Sequence, residues 1–232
     1  MMKRIGLIGG VSPASTEVYY RLINAAAKAA KGGDHSAELV IYSLDFGVIL
    51  AHYEAADWPA FKAEVVRAAE RLRAADCEVL GICSNTTQLA ADAVAEAVDL
   101  PIVRLIDTLA TALKAAGRQR PLLLGTPFVM EQPFYRETLA NQFAGQCLVP
   151  DEANRLEISR VIFEELVNGT VLESSRSAYL KTIAQGRAVG ADSVILGCTE
   201  ITLLIKQDHT DLPVFDTTAL HAKAIATAAL KP

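Results

Sequence analysis

The chain has 232 residues, 51% hydrophobic and 21% charged, with a net charge of −5. That length holds one α/β domain or two small ones with a sizeable core, and an acidic balance without a Lys/Arg run excludes a nucleic-acid surface. No apolar stretch reaches membrane-spanning length, and Met1-Met2-Lys3-Arg4 precedes too short an apolar run for a signal peptide, so no membrane partner is expected and the cytoplasm is the expected location. The four cysteines, Cys77, Cys83, Cys147 and Cys198, have neither metal-site spacing nor disulfide-scaffold density and are expected to be reduced.

In chain order, strand and helix patterns alternate, which predicts an α/β fold with mostly parallel sheets flanked by helices. Residues 5–8 form the first predicted strand. Ser12-Pro13 then gives a hydroxyl cap with Pro at the first helical position, and Val18, Leu22 and Ala26 follow at helical spacing. Residues 39–42 are a second strand. Residues 46–57, which carry His52 and Tyr53 and lead into Trp58, have weak periodicity and read as a surface lid. Pro59 opens a helix to about residue 75, residues 79–83 form a strand, and a helix begins near Thr87. Residues 100–103 form a short apolar strand, and Asp107-Thr108 is expected to cap the next helix.

The second half repeats this order. A strand at 121–125 ends in Thr126-Pro127, helical patterns cover 132–141, 154–167 and 174–188, and strands are expected at 193–197 and 212–215. Asp216-Thr217 caps a last helix to Leu230. Ile8-Gly9 and Leu124-Gly125 lie 116 positions apart, as do Ala75-Asp76 and Ala191-Asp192, while Leu100-Pro101 and Leu212-Pro213 lie 112 apart. Landmarks in one order at nearly constant offset predict two pseudo-symmetric domains with the active site in the cleft between them. Residues 1–105 with 210–232 are expected to form the first domain, and 106–209 the second.

Ligands of open α/β sheets bind beyond the carboxyl ends of the strands. Val11 and Ser12, Ser84-Asn85-Thr86, Thr126, and Cys198-Thr199-Glu200 fall at such ends. Taken singly they read as ordinary helix caps; their convergence favours a site. Val194-Ile-Leu-Gly-Cys-Thr-Glu200 echoes Val79-Leu-Gly-Ile-Cys-Ser-Asn-Thr86. Matching Asn85-Thr86 to Thr199-Glu200 puts Ser84 opposite Cys198 and turns Cys83 away. A thiol at a helix N-terminus has a lowered pKa, so Cys198 is expected to be a thiolate, either nucleophile or base. No motif links a histidine to it, and Gly6-x-x-Gly9-Gly10 lacks the spacing of a dinucleotide fingerprint.

Gly6-Leu-Ile-Gly-Gly-Val-Ser12 with Thr16, Tyr19-Tyr20-Arg-Leu-Ile-Asn24, Cys83-Ser-Asn-Thr86, Gly197-Cys-Thr-Glu200 and Pro213-Val-Phe-Asp216 run through nearly the whole chain. On these motifs it resembles the cofactor-independent aspartate/glutamate racemases, most closely a subgroup with a hydroxyl residue in place of the first catalytic cysteine. The resemblance implies a homodimer that acts on a small-molecule amino acid without pyridoxal phosphate or metal. One thiolate removes the α-proton and the other half returns a proton to the opposite face. Cys198 then takes the role of base and acid, with Ser84 at the opposing position. Gln88 stands where a histidine is frequent. Val11, Ser12, Tyr53, Asn85, Thr86, Thr126, Thr199 and Glu200 are the expected substrate-binding residues, Val11 and Tyr53 lining the side-chain pocket. No Lys or Arg occurs in 43–57 or 167–173, so the substrate is aspartate/glutamate or a broader, neutral set. Loss of the first cysteine leaves two other readings, a single-cysteine decarboxylase or isomerase of a small diacid, and a catalytically weak amino-acid-binding protein.

Overall fold

A computed structural model describes residues 2–231. The elements run β1 (Ile5–Gly9), α1 (Pro13–Lys31), β2 (Leu39–Ser43), α2 (Phe46–Glu54), α3 (Trp58–Ala74), β3 (Val79–Ile82), α4 (Ala91–Ala97), β4 (Ile102–Val103) and α5 (Leu105–Ala115). They continue with β5 (Pro121–Leu124), α6 (Pro127–Glu131), α7 (Pro133–Phe143), α8 (Glu152–Arg160), α9 (Glu173–Ala188), β6 (Ser193–Leu196), α10 (Ile201–Leu204), β7 (Val214–Asp216) and α11 (Thr217–Leu230). The chain divides into two compact units, Met1–Thr108 with His221–Pro232, and Leu109–Leu220. Each is an α/β unit with its own parallel sheet. Among the described residues no helix is long and apolar enough to cross a membrane.

The first unit's sheet has the order β2-β1-β3-β4, all parallel. Its strands are nearly continuous apolar runs because both faces are covered. Leu80 and Ile82 of β3 pack with Phe61, Val65 and Leu72 of α3 on one face. Val79 and Cys83 pack with Tyr19 and Ile23 of α1 and Ile225 of α11 on the other. Gly81 makes that approach possible: a Cβ there would lie 2.3 Å from Ile225 Cδ1. At the centre of this face His221 is fully buried, bonded through Nε2 to the Val103 carbonyl (2.7 Å) and through Nδ1 to Tyr19 Oη (2.9 Å). The carbonyl can only accept, so Nε2 carries the proton and Tyr19 donates to Nδ1.

The second unit's sheet has the order β5-β6-β7, also parallel. A single bridge from Leu148 to Leu122 stands where β2 lies in the first unit. Leu122, Leu124, Val194 and Leu196 pack against Ile158, Tyr179, Ile183 and Ile201. The helix expected over 154–167 begins as α8, then widens into a π-turn over Val161–Glu165 and tightens to a 3-10 turn over Leu166–Asn168 before Gly169 at φ +73°. Buried Glu165 accepts from Arg160 Nη1 (2.8 Å) and Ser175 Oγ (2.6 Å), pinning that turn.

Three sequence expectations are corrected. The last strand, assigned with 210–232 to the first domain, is β7 and pairs with β6, so the chain rejoins the first unit only at His221. Its apolar pattern fits either sheet; the partner was decided by the Val194↔Val214 register. The helix expected from an Asp107 cap starts at Leu105 instead, where the Leu105 amide donates to buried Gln88 Oε1 (3.1 Å). Residues 46–54 are a regular helix, α2, with Asp45 Oδ1 accepting from the Gly47 amide.

Burial lowers the His221 pKa from 6.5 to about 4, against a weaker opposing effect of the Val103 bond. The unfolded chain therefore binds a proton in that window and the folded chain does not. Stability is complete above pH 6.5 and falls by about 3 kcal/mol as the pH drops to 4. Urea midpoints across this range are expected to show the loss. In His221→Gln, a less stable protein at neutral pH, the slope between those pH values is expected to flatten.

Candidate active site

The two sheets end alike. Ile8 pairs with Ile82 on β1 and β3, and Leu124 pairs with Leu196 on β5 and β6. One bond further, the Cys83 amide donates to the Ile8 carbonyl (2.9 Å) and the Gly197 amide to the Leu124 carbonyl (2.7 Å). At the other side, the amides of Leu80 and Val194 donate to the carbonyls of Pro101 and Pro213. Ile82 and Leu196 thus hold equivalent positions, offset by 114, which makes Ser84 the counterpart of Cys198. Even the strand-end carbonyls are treated alike: Ile82 O accepts from Gln88 Nε2 (2.9 Å) and Leu196 O from Thr217 Oγ1 (2.8 Å).

In the first unit, β1 runs into Gly10 at φ +92°, where a Cβ would lie 2.2 Å from the Leu44 carbonyl oxygen, so only glycine fits. The Gly10 amide donates to Thr16 Oγ1 (2.8 Å), which in turn donates to the Ser12 carbonyl (3.0 Å), and Ser12 Oγ accepts from the Ser15 amide (3.2 Å). Ser12 is thus a working helix cap, and Val11 beside it is half-buried against the α3 core. Ser84 is half-buried, and among the described residues its hydroxyl has no hydrogen-bond partner; its carbonyl accepts from Thr87 Oγ1 (3.3 Å). Asn85 is buried and Thr86 half-buried, at the start of a 3-10 turn over Thr86–Ala90. Cys83 is sealed on the far face, where burial pushes its pKa far up. Tyr53 on α2 stacks edge-on against Trp58 (6.0 Å between centroids) and packs on the same core as Val11.

In the second unit, Cys198 follows β6 and donates from Sγ to Glu200 Oε2 (2.9 Å). Burial, then the charge and hydrogen bond of Glu200, push the thiol pKa well above its ordinary value. This overturns the expectation of a resting thiolate. α10 has four residues, too few for a helix terminus to offset the loss of solvent and a carboxylate at contact distance. Thr199 Oγ1 shares a hydrogen bond with Thr218 Oγ1 (3.0 Å). Thr126, two positions past Leu124, reaches the same register as Cys198, and its Oγ1 is buried without a hydrogen-bond partner among the described residues. Thr218 was not singled out from sequence; the hydroxyl pair after Asp216 at a strand end was its available signal. Among the described residues no cluster of three or more His, Cys, Asp or Glu could hold a metal.

The profile of Asp/Glu/Hydantoin racemase matches residues 8–225. The chain belongs to that family. Its membership makes it an isomerase of the racemase type. It is 42% identical to a candidate Asp/Glu racemase from Yersinia pestis, over 99% of this chain and 100% of that one, with a TM-score of 0.94. It is 33% identical to an aspartate racemase homologue from Pyrococcus horikoshii, over 99% and 100%, with a TM-score of 0.87. The fold extends to an aspartate racemase from Picrophilus torridus at 24% identity, over 99% and 95%, with a TM-score of 0.76. The family's two-sheet α/β architecture is the one seen here.

Alkylation with iodoacetamide at mildly alkaline pH, mapped by mass spectrometry, reads the thiols of this racemase separately. Cys198 is expected to react more slowly than a free cysteine, and buried Cys77 and Cys83 not at all. Glu200→Gln removes the adjacent negative charge and is expected to speed labelling of Cys198 by about tenfold.

Proposed function

We propose that the chain interconverts L and D enantiomers of aspartate, glutamate or a broader set of amino acids without pyridoxal phosphate or metal. Cys198 acts as base and acid on one side of the α-carbon, and Ser84 acts on the other. The observation that carries the reading is the shared strand register of Ser84 and Cys198, together with the contact between Cys198 Sγ and Glu200 Oε2.

A thiol donating to a carboxylate carries one negative charge, and moving the proton to Glu200 leaves that charge unchanged. Burial penalises the two tautomers similarly, whereas a thiolate beside an ionised Glu200 would concentrate two charges in one desolvated place. The reachable base is therefore the Cys198 thiolate with Glu200 protonated. It takes the substrate's α-proton, and the planar carbanion receives a proton from Ser84, directly or through water, on the opposite face; solvent then returns a proton to Ser84 and takes the one held by Glu200, which restores the starting state. A hydroxyl without an adjacent base donates far better than it abstracts, so the two directions start unequally. Thr126, with its buried unpaired hydroxyl, and Thr199, Asn85, Thr86 and Ser12 supply hydrogen bonds to the substrate's polar groups. Val11 and Tyr53 bound its side chain.

Exchange of the α-hydrogen in deuterium oxide, followed by proton NMR and chiral chromatography across acidic and neutral amino acids, tests the reading. Cys198→Ser is expected to abolish exchange, and Ser84→Cys to keep or increase it. Glu200→Gln is expected to slow exchange about 10²-fold or more, although its thiol ionises more readily. Absence of exchange with every amino acid, together with loss of carbon dioxide from a malonate-type acid, would replace racemisation with single-cysteine decarboxylation. Saturable binding without turnover would leave only an amino-acid-binding role.

A further inference from the structure

The end of β7 is tied to β6 by more than strand pairing. Thr217 Oγ1 donates to the Leu196 carbonyl (2.8 Å), and Thr218 Oγ1 shares its hydrogen bond with Thr199 Oγ1 (3.0 Å). Asp216, the residue before them, pairs in register with Leu196, two positions ahead of Cys198. Paired residues of parallel strands face the same side, so Asp216 follows Val214 on the face where Leu196 lies, and Cys198 packs on the same cluster as those two residues. Neighbouring strands lie about 5 Å apart. The Asp216 carboxylate is therefore fastened one strand's width from the strand end that carries the sulfur.

The two oxygens of this carboxylate are used unequally. Oδ1 accepts from the amides of Thr218 (2.9 Å) and Ala219 (3.0 Å) and so caps α11. Oδ2 has neither a hydrogen-bond donor nor a cation beside it among the described residues. A cap facing open water needs no second partner, but Asp216 is half-buried, and burial pushes its pKa up. A partly desolvated carboxylate oxygen without a donor is costly unless a bound group supplies one. Glu200, the other acid at the end of this sheet, already accepts from Cys198 Sγ. On the opposite side of β6, Thr126 brings a hydroxyl and no charge.

We propose that Asp216 Oδ2 receives the α-ammonium group of the substrate, an inference that rests on the amino-acid substrate proposed above. An amino acid arrives as a zwitterion, and its ammonium, with three donors and a full charge, is the part that an unpaired carboxylate oxygen selects. The substrate's own carboxylate is left to uncharged donors, of which Thr126 Oγ1 stands across β6 from Asp216. Holding the two groups on either side of β6 sets the α-carbon at the strand end that carries Cys198 and orients its hydrogen. The ammonium stays protonated beside Asp216, and its positive charge stabilises the carbanion formed when the thiolate takes the α-proton. Asp216 neither gives nor takes a proton in that step.

Asp216→Asn keeps an oxygen for the two capping amides and replaces the free acceptor with an N–H donor. The α-hydrogen exchange assay is run on acidic and neutral amino acids, with the compound lacking only the ammonium group as inhibitor: succinate for aspartate, glutarate for glutamate, propionate for alanine. For the amino acid that the native protein exchanges fastest, KM is expected to rise at least about 30-fold in the variant, while the inhibition constant of its deaminated analogue stays within about twofold. The thermal unfolding midpoint is expected to stay at its native value. An unchanged KM, or a KM and an inhibition constant that rise together, would overturn the proposal and leave Asp216 as a helix cap. A native protein that exchanges no amino acid would overturn the functional reading before any variant is made, and this proposal with it.

Discussion

The molecule depends on parallel backbone pairing at the ends of two central strands. The bond from the Cys83 amide to Ile8 O fixes where β3 stops, and the bond from the Gly197 amide to Leu124 O fixes where β6 stops. A parallel register leaves no freedom at the next residue, because a slip of one position would turn every side chain to the opposite face. Cys83 therefore faces the core and Ser84 leaves the sheet, while Gly197 occupies the core-side position and Cys198 leaves it. The glycines tighten the same ends: a Cβ at Gly197 would meet Leu124 O at 3.0 Å, and one at Gly10 would meet Leu44 O.

From that placement follows the electrostatic character of Cys198. It shares a desolvated strand end with Glu200, and burial and the adjacent carboxylate act in the same direction, holding the proton on sulfur at rest. Among the described residues the first unit has no equivalent pair. Among the described residues the counterpart of Cys198, Ser84, has no acidic hydrogen-bond partner, and the Ile82 carbonyl at the strand end is held by the neutral amide of Gln88. The pseudo-symmetry of the backbone is thus combined with different chemical surroundings at the two strand ends.

Much of the architecture was legible because α/β chains announce themselves by alternating apolar runs and capped helices. Ser12 before Pro13, Asp216 accepting from the Thr218 and Ala219 amides, and the 116 and 112 offsets were all readable. What misled were features with no local cause. Asp107 looked like a cap, but α5 starts at Leu105 because Gln88, seventeen residues earlier, reaches its amide. The pattern of β7 cannot specify its neighbour, since short apolar strands fit any parallel sheet. Cys198 read as an activated thiol from its position before a helix, and burial, the contact with Glu200 and the shortness of α10 reversed that.

The sequence by itself determined the α/β class, the repeat, the family motifs and the identity of the residues at the strand ends, since periodicity and capping are local and survive without neighbours. Tertiary structure decided which sheet claims β7, where α5 begins, that His221 is a buried neutral imidazole, and that Cys198 rests as a thiol. Each of those depends on distances between residues far apart in the chain or on loss of solvent, and neither quantity is written in any single segment.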